Sequence, residues 1–186
     1  LVRDKDTSPM LASKNGLDFA ICGNCIHRGV ATKEAGRKTA KNRTCYVTLV
    51  HGPNNVWKAY HKGAYNTAAR GDIWQVGAGK LVRLGTYGDP AAVPSYVWEE
   101  LLRVSIGHTG YSHQAEIKAS SYDSALYMKS VDSAKQAMEA WGKGERTYRV
   151  VSQHAYRAGV DGPIDGREIL CPATKEGGKR TTCIDC

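Results

Sequence analysis

The chain has 186 residues, 41% of them hydrophobic and 24% charged, with a net charge of +8. That length suits one domain spanning residues 1–186 with its own core, and no run approaches the roughly 18 apolar residues of a membrane span. The excess of lysine and arginine attracts polyanions, nucleic acid first among them, although a basic surface also serves solubility alone.

In chain order, the first chemistry-bearing stretch is "AICGNCIHRG" (20–29). Cys22 and Cys25 stand three apart, and Cys45 follows in "NRTCYV". Gly23 and Asn24 fill the turn between the first two thiols, and both tolerate left-handed backbone, so two thiolates can face one ion. Between the CxxC pair and Cys45 lies "KEAGRKTAKNR" (33–43), where Lys33, Arg37, Lys38, Lys41 and Arg43 oppose only Glu34. Arg37, Lys38, Lys41 and Arg43 are the candidate phosphate contacts. Tyr46, Trp57, Tyr60 and Tyr65 lie nearby and could stack bases, though Trp57 and Tyr60 also suit a helix packed on a sheet.

"PNNVWKAYHKGAY" (53–65) reads as a helix capped by Asn54. From residue 80 strands and helices alternate. "KLVRLGTY" (80–87) is a predicted strand, and Val97, Trp98, Leu101 and Leu102 give the following segment an apolar helical stripe after Pro94. "TGYSHQ" (109–114) and "ALYMKSV" (125–131) are the next strands. Ser133 and Gln136 form a capping box for a helix with Ala134, Ala137, Met138 and Trp141 on its buried face, stopped by Gly142 and Gly144. "RTYRVVS" (146–152) closes the series as a strand. About five strands and three helices argue for an α/β fold, either a partial (β/α) barrel or a small open, mostly parallel sheet with cysteine-bound metal loops.

In such folds the carboxyl ends of the strands build the site. Asp89 stands at one such end beside Gly88, placed to act as base, nucleophile or hydrogen-bond acceptor, or simply to cap the turn before Pro90. His113 opens the loop after the second strand and Arg83 could face the same pocket, so Asp89, His113 and Arg83 are the catalytic candidates. Asp132 and Ser133 read as a helix cap.

The six cysteines fall into two groups, Cys22, Cys25 and Cys45, and Cys171, Cys183 and Cys186. Each is a CxxC pair plus a distant thiol. Three readings stand: metal ligands, disulfides in an oxidising compartment, or unligated core thiols. As metal ligands they suit zinc, which wants four donors in a structural site, or an iron–sulfur cluster held by thiolates. His27 and His51 are the candidate fourth ligands of the first group.

"CGNCIHRG", "RTCYV", "GPNNVWKAY", "VRLGTYGDPAAVPSYVWEELL", "TGYSHQ" and "KSVDS" together resemble a cysteine-rich family of phage and prophage proteins and, more distantly, the phage gene product 88 family. The shared signals are a cysteine cluster ending in Cys45-Tyr46, an Arg-x4-Gly-Asp strand end (Arg83 to Asp89), Tyr111-Ser112-His113 and Ser130-Val131-Asp132. The resemblance spans most of the chain and implies a phage source and the cytoplasm of an infected host. A looser similarity is to radical SAM enzymes, in which a three-cysteine loop and a Gly-Gly-Glu-Pro-like segment serve a partial barrel. "CGNC…C" and "YGDP" occupy comparable places, which implies S-adenosylmethionine as a cofactor. The spacing Cys-x2-Cys-x19-Cys departs from the usual Cys-x3-Cys-x2-Cys, and Asp89 stands where glutamate would. Two functions are therefore expected: a phage metalloprotein, iron–sulfur or zinc, acting on nucleic acid or nucleotides, or a non-catalytic zinc-stapled nucleic-acid-binding module. A third, a phage structural or host-interaction protein with structural thiols, stands behind them.

Overall fold

Four short segments pair into one open, all-parallel sheet in the computed structural model, which describes residues 4–114 and 123–181. They are β1 (Leu81–Leu84), β2 (Gly107–Ser112), β3 (Met128–Val131) and β4 (Thr147–Arg149), and their spatial order is their chain order. Leu81 pairs with Gly107, Tyr111 with Met128 and Lys129 with Thr147. Parallel neighbours need a crossover. Helix α5 (Ser95–Leu102) links β1 to β2, and α6 (Ala134–Gly142) links β3 to β4.

Paired residues of a parallel register share a face. On one face Leu84 packs with Ala91, Leu126 and Tyr127, and Val82, Trp98, Leu101 and Leu102 close over them. Fully burying a leucine such as Leu84 contributes roughly 1.5–3 kcal/mol. Gly110 sits in this layer because a Cβ there would stand 3.1 Å from the Leu84 Cβ. Ala137 and Ala140 of α6 are fully buried, and Trp141 Nε1 donates to Thr147 Oγ1 at 3.0 Å. The opposite face carries Arg83, Thr109, Tyr111, Met128 and Tyr148. There the Tyr111 and Tyr148 rings lie 4.6 Å apart and the Arg83 guanidinium sits 5.7 Å from the Tyr111 ring.

All four named strands form: β1, β3 and β4 are shorter than predicted, and β2 keeps six residues but begins two earlier. β1 ends at Leu84 rather than at 87 because Gly85 and Gly88 take positive φ and turn the chain. No fifth strand is present among the described residues, and there are seven α-helices rather than three. The additional ones, α1 (Pro9–Asn15), α2 (Phe19–Cys22), α4 (Ile73–Gly77) and α7 (Gln153–Arg157), are too short to show a periodic stripe. Helix α3 runs Gly52–His61, so Asn54 is not its cap. Pro53 occupies the first turn, and Asn54 is buried inside it with its N–H bonded to Leu49 O at 3.2 Å. The Ser133 cap does form: its hydroxyl accepts from Gln136 N at 3.2 Å, while Gln136 Oε1 accepts from Asp132 N at 2.8 Å. Among the described residues no helix is long and apolar enough to cross a membrane.

At the amino-terminal side of α7, Arg149 is 3% exposed and ties the sheet to the following loop. It donates to Glu168 at 2.7 Å and to Asp161 at 2.8 Å. Removing its charge strands two carboxylates, so Arg149→Ala is expected to cost about 3 kcal/mol in urea unfolding. Hydrogen bonds from Arg149, against the opposing effect of burial, hold the Glu168 carboxyl below its ordinary value. A depressed folded value makes this contribution full above the ordinary carboxylate range and lost as pH falls through the lower folded value, so unfolding at acid pH should show a smaller loss in Glu168→Gln than in the parent.

Candidate metal centre

The cysteine loop is fastened to the carboxyl ends of β1 and β2 around one residue, Asp89. Asp89 Oδ1 accepts from Ser112 Oγ at 2.8 Å and from Ala91 N at 2.9 Å, and Oδ2 accepts from His113 N at 2.7 Å. Its own N–H donates to Ile21 O at 2.6 Å. Gln114 adds a second fastening, donating from Nε2 to Cys22 O at 3.0 Å. The approach is so close that a Cβ on Gly23 (φ +52°) would fall 2.2 Å from Gln114 Oε1, and one on Gly88 2.9 Å from the Ile21 carbonyl. Both glycines are therefore required by space.

The far end of the loop returns to the same place. His27 O accepts from Cys45 N at 2.9 Å and from Thr44 N at 3.1 Å, and Val30 and Lys41 exchange backbone bonds. Arg43 donates to Cys45 O at 2.9 Å and to Val47 O at 2.8 Å. Beneath, Arg28 donates to the buried Asp18 carboxylate at 2.7 Å, and the Tyr87 hydroxyl lies 3.3 Å from its other oxygen.

These fastenings bring His27, His113 and Asp132 together. Among the described residues they are the one group of His, Cys, Asp and Glu whose ligand atoms all lie within 4.8 Å of one another. Asp132 Oδ1 is 3.3 Å from His27 Nε2 and 3.7 Å from His113 Nε2. His27 Nδ1 is held by Thr44 Oγ1 at 2.9 Å, which turns Nε2 to the centre. His113 Nδ1 faces Cys25 Sγ at 3.7 Å. His113 Nε2 is buried and has no hydrogen-bond partner. A cavity of about 310 Å³ opens beside them, lined by Cys25, His113, Lys129, Asp132, Glu139 and Lys143 among others.

Burial, with lesser contributions from Asp18, Cys25 and Cys45, pushes the Cys22 thiol up to about 12. Burial is also the first cause that raises Cys25, which faces the charges of Cys45, Asp89 and Asp132. His113 is lowered, again chiefly by burial, with Asp132 opposing, so its imidazole is neutral at pH 7. A cysteine–histidine–aspartate line could serve a nucleophilic thiol, but that chemistry needs a depressed thiol value, the reverse of what surrounds Cys25.

The structure brings Cys22, Cys25, Cys45, Asp89 and His113 to one edge. It does not bring Arg83 there: that side chain lies on the other face of the sheet and donates to the Tyr46 hydroxyl. His51 heads α3 instead. Cys171 is half-buried in a tight turn of its own, its carbonyl accepting from Thr174 Oγ1 at 2.7 Å. Cys183 and Cys186 lie outside the described residues. In the basic stretch Arg37 pairs with Glu34 at 3.1 Å and Arg43 clamps backbone, while the Lys38 and Lys41 side chains are exposed. The residue that sequence reading placed elsewhere is Asp132. It precedes the Ser133 cap, yet its carboxylate turns to the two histidines; its position at a strand end was the available signal.

No family model, curated protein or solved structure matches this chain.

Asp89→Asn replaces an acceptor oxygen with an amide that opposes either the His113 N–H or the Ser112 hydroxyl. Charged hydrogen bonds contribute about 1.5–3 kcal/mol each, so a loss of about 2–4 kcal/mol in denaturant unfolding is expected, together with faster proteolysis in 20–30. A variant as stable as the parent would show that Asp89 does not hold the loop.

Proposed function

We propose that this chain is a metalloprotein whose ion is held at the carboxyl end of the parallel sheet by His27, His113 and Asp132, and that it acts on nucleic acid or a nucleotide. The observation that carries the reading is the geometry of the three donors. Bond lengths of about 2.0–2.2 Å at a near-tetrahedral angle put ligand atoms roughly 3.3–3.6 Å apart, close to the 3.3 and 3.7 Å between Asp132 and the two histidines, all three ligand atoms lying within 4.8 Å of one another. The buried, unpartnered His113 Nε2 is a donor atom that an ion would satisfy. The mixed imidazole and carboxylate set suits a first-row divalent cation such as zinc or iron(II).

Three protein ligands leave a position open, and a cation so held lowers the pKa of its bound water or polarises a phosphoryl oxygen. The residues of the chain do the rest. Thr44 fixes the ring of His27, and Asp132 shares its oxygen between the two histidines. Lys143 and Lys129 bring positive charge to the cavity beside the ligands, Lys129 in an ion pair with Glu145 at 3.3 Å. Lys38 and Lys41 extend the attraction for phosphates over the surface of the loop.

The alternative, a zinc-stapled nucleic-acid-binding module, is favoured by the three thiols beside the histidines. The iron–sulfur form of the metalloprotein, with S-adenosylmethionine, rests on the same thiols. Metal analysis of protein purified without oxygen separates these readings. The proposed centre predicts one bound divalent ion that is lost in His27→Ala and in Asp132→Asn while the fold survives. Thr44→Val, which frees the ring of His27, should weaken the ion about 10–100-fold. Iron with acid-labile sulfide would favour the cluster, and an ion whose loss unfolds the chain would favour the stapled module. For the partner, Lys38→Ala with Lys41→Ala should weaken nucleic-acid binding and flatten its salt dependence by about one unit of slope per lysine. Binding that is absent in the parent at low salt would exclude nucleic acid as the partner.

A further inference from the structure

A neutral histidine that binds an ion through one ring nitrogen carries its proton on the other, and the group accepting that proton sets the angle of the ring. In the centre proposed above both histidines turn Nε2 to Asp132. Their Nδ1 atoms point to other partners. That of His27 is held by Thr44 Oγ1 at 2.9 Å. That of His113 lies 3.7 Å from Cys25 Sγ, within reach of a hydrogen bond to the large sulfur atom.

The same geometry keeps Cys25 away from the ion. Among the described residues His27, His113 and Asp132 are the one group whose ligand atoms all lie within 4.8 Å of one another, and Cys25 is not part of it. The backbone of Cys25 is fixed on both sides. Its N–H donates to Cys22 O at 3.2 Å, and its carbonyl accepts from Arg28 N at 3.2 Å as it opens the 3₁₀ turn Ile26–Arg28. One turn of chain therefore supplies a ligand, His27, and, two residues before it, the sulfur that faces the ring of the other histidine. That ring is only 21% exposed, so little water competes for its polar atoms.

We infer that Cys25 is a positioning residue and not a ligand: its sulfur accepts the Nδ1–H of His113, holds the ring in that tautomer and leaves Nε2 to the ion. The inference rests on the centre proposed above and gives its second histidine the support that Thr44 gives the first. Both supports come from the loop laid across the strand ends. The donor set remains two imidazoles and one carboxylate with a position open, which suits iron(II) as well as zinc.

Two measurements on the full-length chain test this. The first is zinc affinity, read by competition with a chelator. Cys25→Val keeps bulk and removes the acceptor, and should weaken zinc about 10–100-fold. In Cys25→Asn the amide oxygen reaches beyond the position of the sulfur, towards the length of about 2.9 Å that a nitrogen–oxygen hydrogen bond prefers, and most of the loss should be recovered. A packing role would give the reverse order, with valine tight and asparagine weak, and would overturn the inference. Cobalt(II) in place of zinc checks for direct ligation, since a thiolate ligand adds a sulfur-to-cobalt charge-transfer band in the near ultraviolet. A band in the parent that is lost in Cys25→Asn would make Cys25 a ligand and overturn its positioning role. The second measurement needs no variant. The ring nitrogen-15 spectrum of the zinc-bound parent should place the His113 proton on Nδ1, and a proton on Nε2 would overturn the inference even if Cys25→Val fails to fold. Zinc that is released by His27→Ala and by Asp132→Asn but is held equally by parent, Cys25→Val and Cys25→Asn would overturn the role of Cys25 and leave the centre standing. Zinc indifferent to His27→Ala and Asp132→Asn, or no zinc bound at all, would overturn the centre and this inference together.

Discussion

The Asp89 carboxylate is the constraint on which the site depends. Three hydrogen bonds to its oxygens and one from its N–H join four separate pieces of chain: the end of β1, the turn Pro90–Ala92, the end of β2, and the last turn of α2 before Cys22. The partners are chemically demanding, since each is a donor that must not be left unpaired when buried. The Ser112 hydroxyl is fully buried and passes the connection on, accepting from Gln114 N at 3.0 Å. Gln114 then holds the Cys22 carbonyl. The cysteine loop is thus positioned by a relay of polar groups that runs through one aspartate.

Topology explains why the chemistry gathers on a single edge. Strands that are parallel and run in chain order present all their carboxyl ends on the same side. Asp89 follows β1, His113 follows β2 and Asp132 follows β3, so residues 43 positions apart in sequence meet at one rim through the register alone. The loop from Cys22 to Cys45 is laid across that rim and supplies His27, which no strand could. Gly23 and Gly88 make the close approach possible, because any side chain at either would strike the neighbouring segment.

The sheet was legible because strand and helix signals alternate strongly after residue 80, and because Ser133 and the glycines after α6 punctuate the chain in the expected way. The carboxyl-end rule then places Asp89, His113 and Asp132 at the rim. Less was legible where local signals compete. Asn54 has the chemistry of a cap, but Pro53 can enter the first turn only if the helix begins before it. Asp132 has the position of a cap as well, and nothing in sequence distinguishes a carboxylate that faces its own helix from one that faces two distant histidines. Arg83 alternates with Leu84 along β1, so the side chain that shares its strand with the core residue must point to the other face. His27 and His51 are alike in sequence as lone histidines; only the backbone pairing of residue 27 with Thr44 and Cys45 separates them.

Acidic groups crowd the rim. Cys22, Cys25, Cys45, Asp89 and Asp132 are all acids, each anionic when it ionises; Arg28 and Arg43 are engaged with Asp18 and with backbone carbonyls, Lys129 pairs with Glu145, and Lys143 lines the neighbouring cavity. Burial first, and neighbouring acids second, raise the cost of ionising the Cys22 thiol, and burial is likewise the first cause for Cys25. Two states relieve this: the thiols keep their protons, or a cation replaces those protons. The first leaves the buried Nε2 of His113 without a partner, beside a carboxylate oxygen 3.7 Å away. Under the proposed centre, a cation would give that nitrogen and the carboxylate a common partner, with Asp132 standing 3.3 and 3.7 Å from the two histidines.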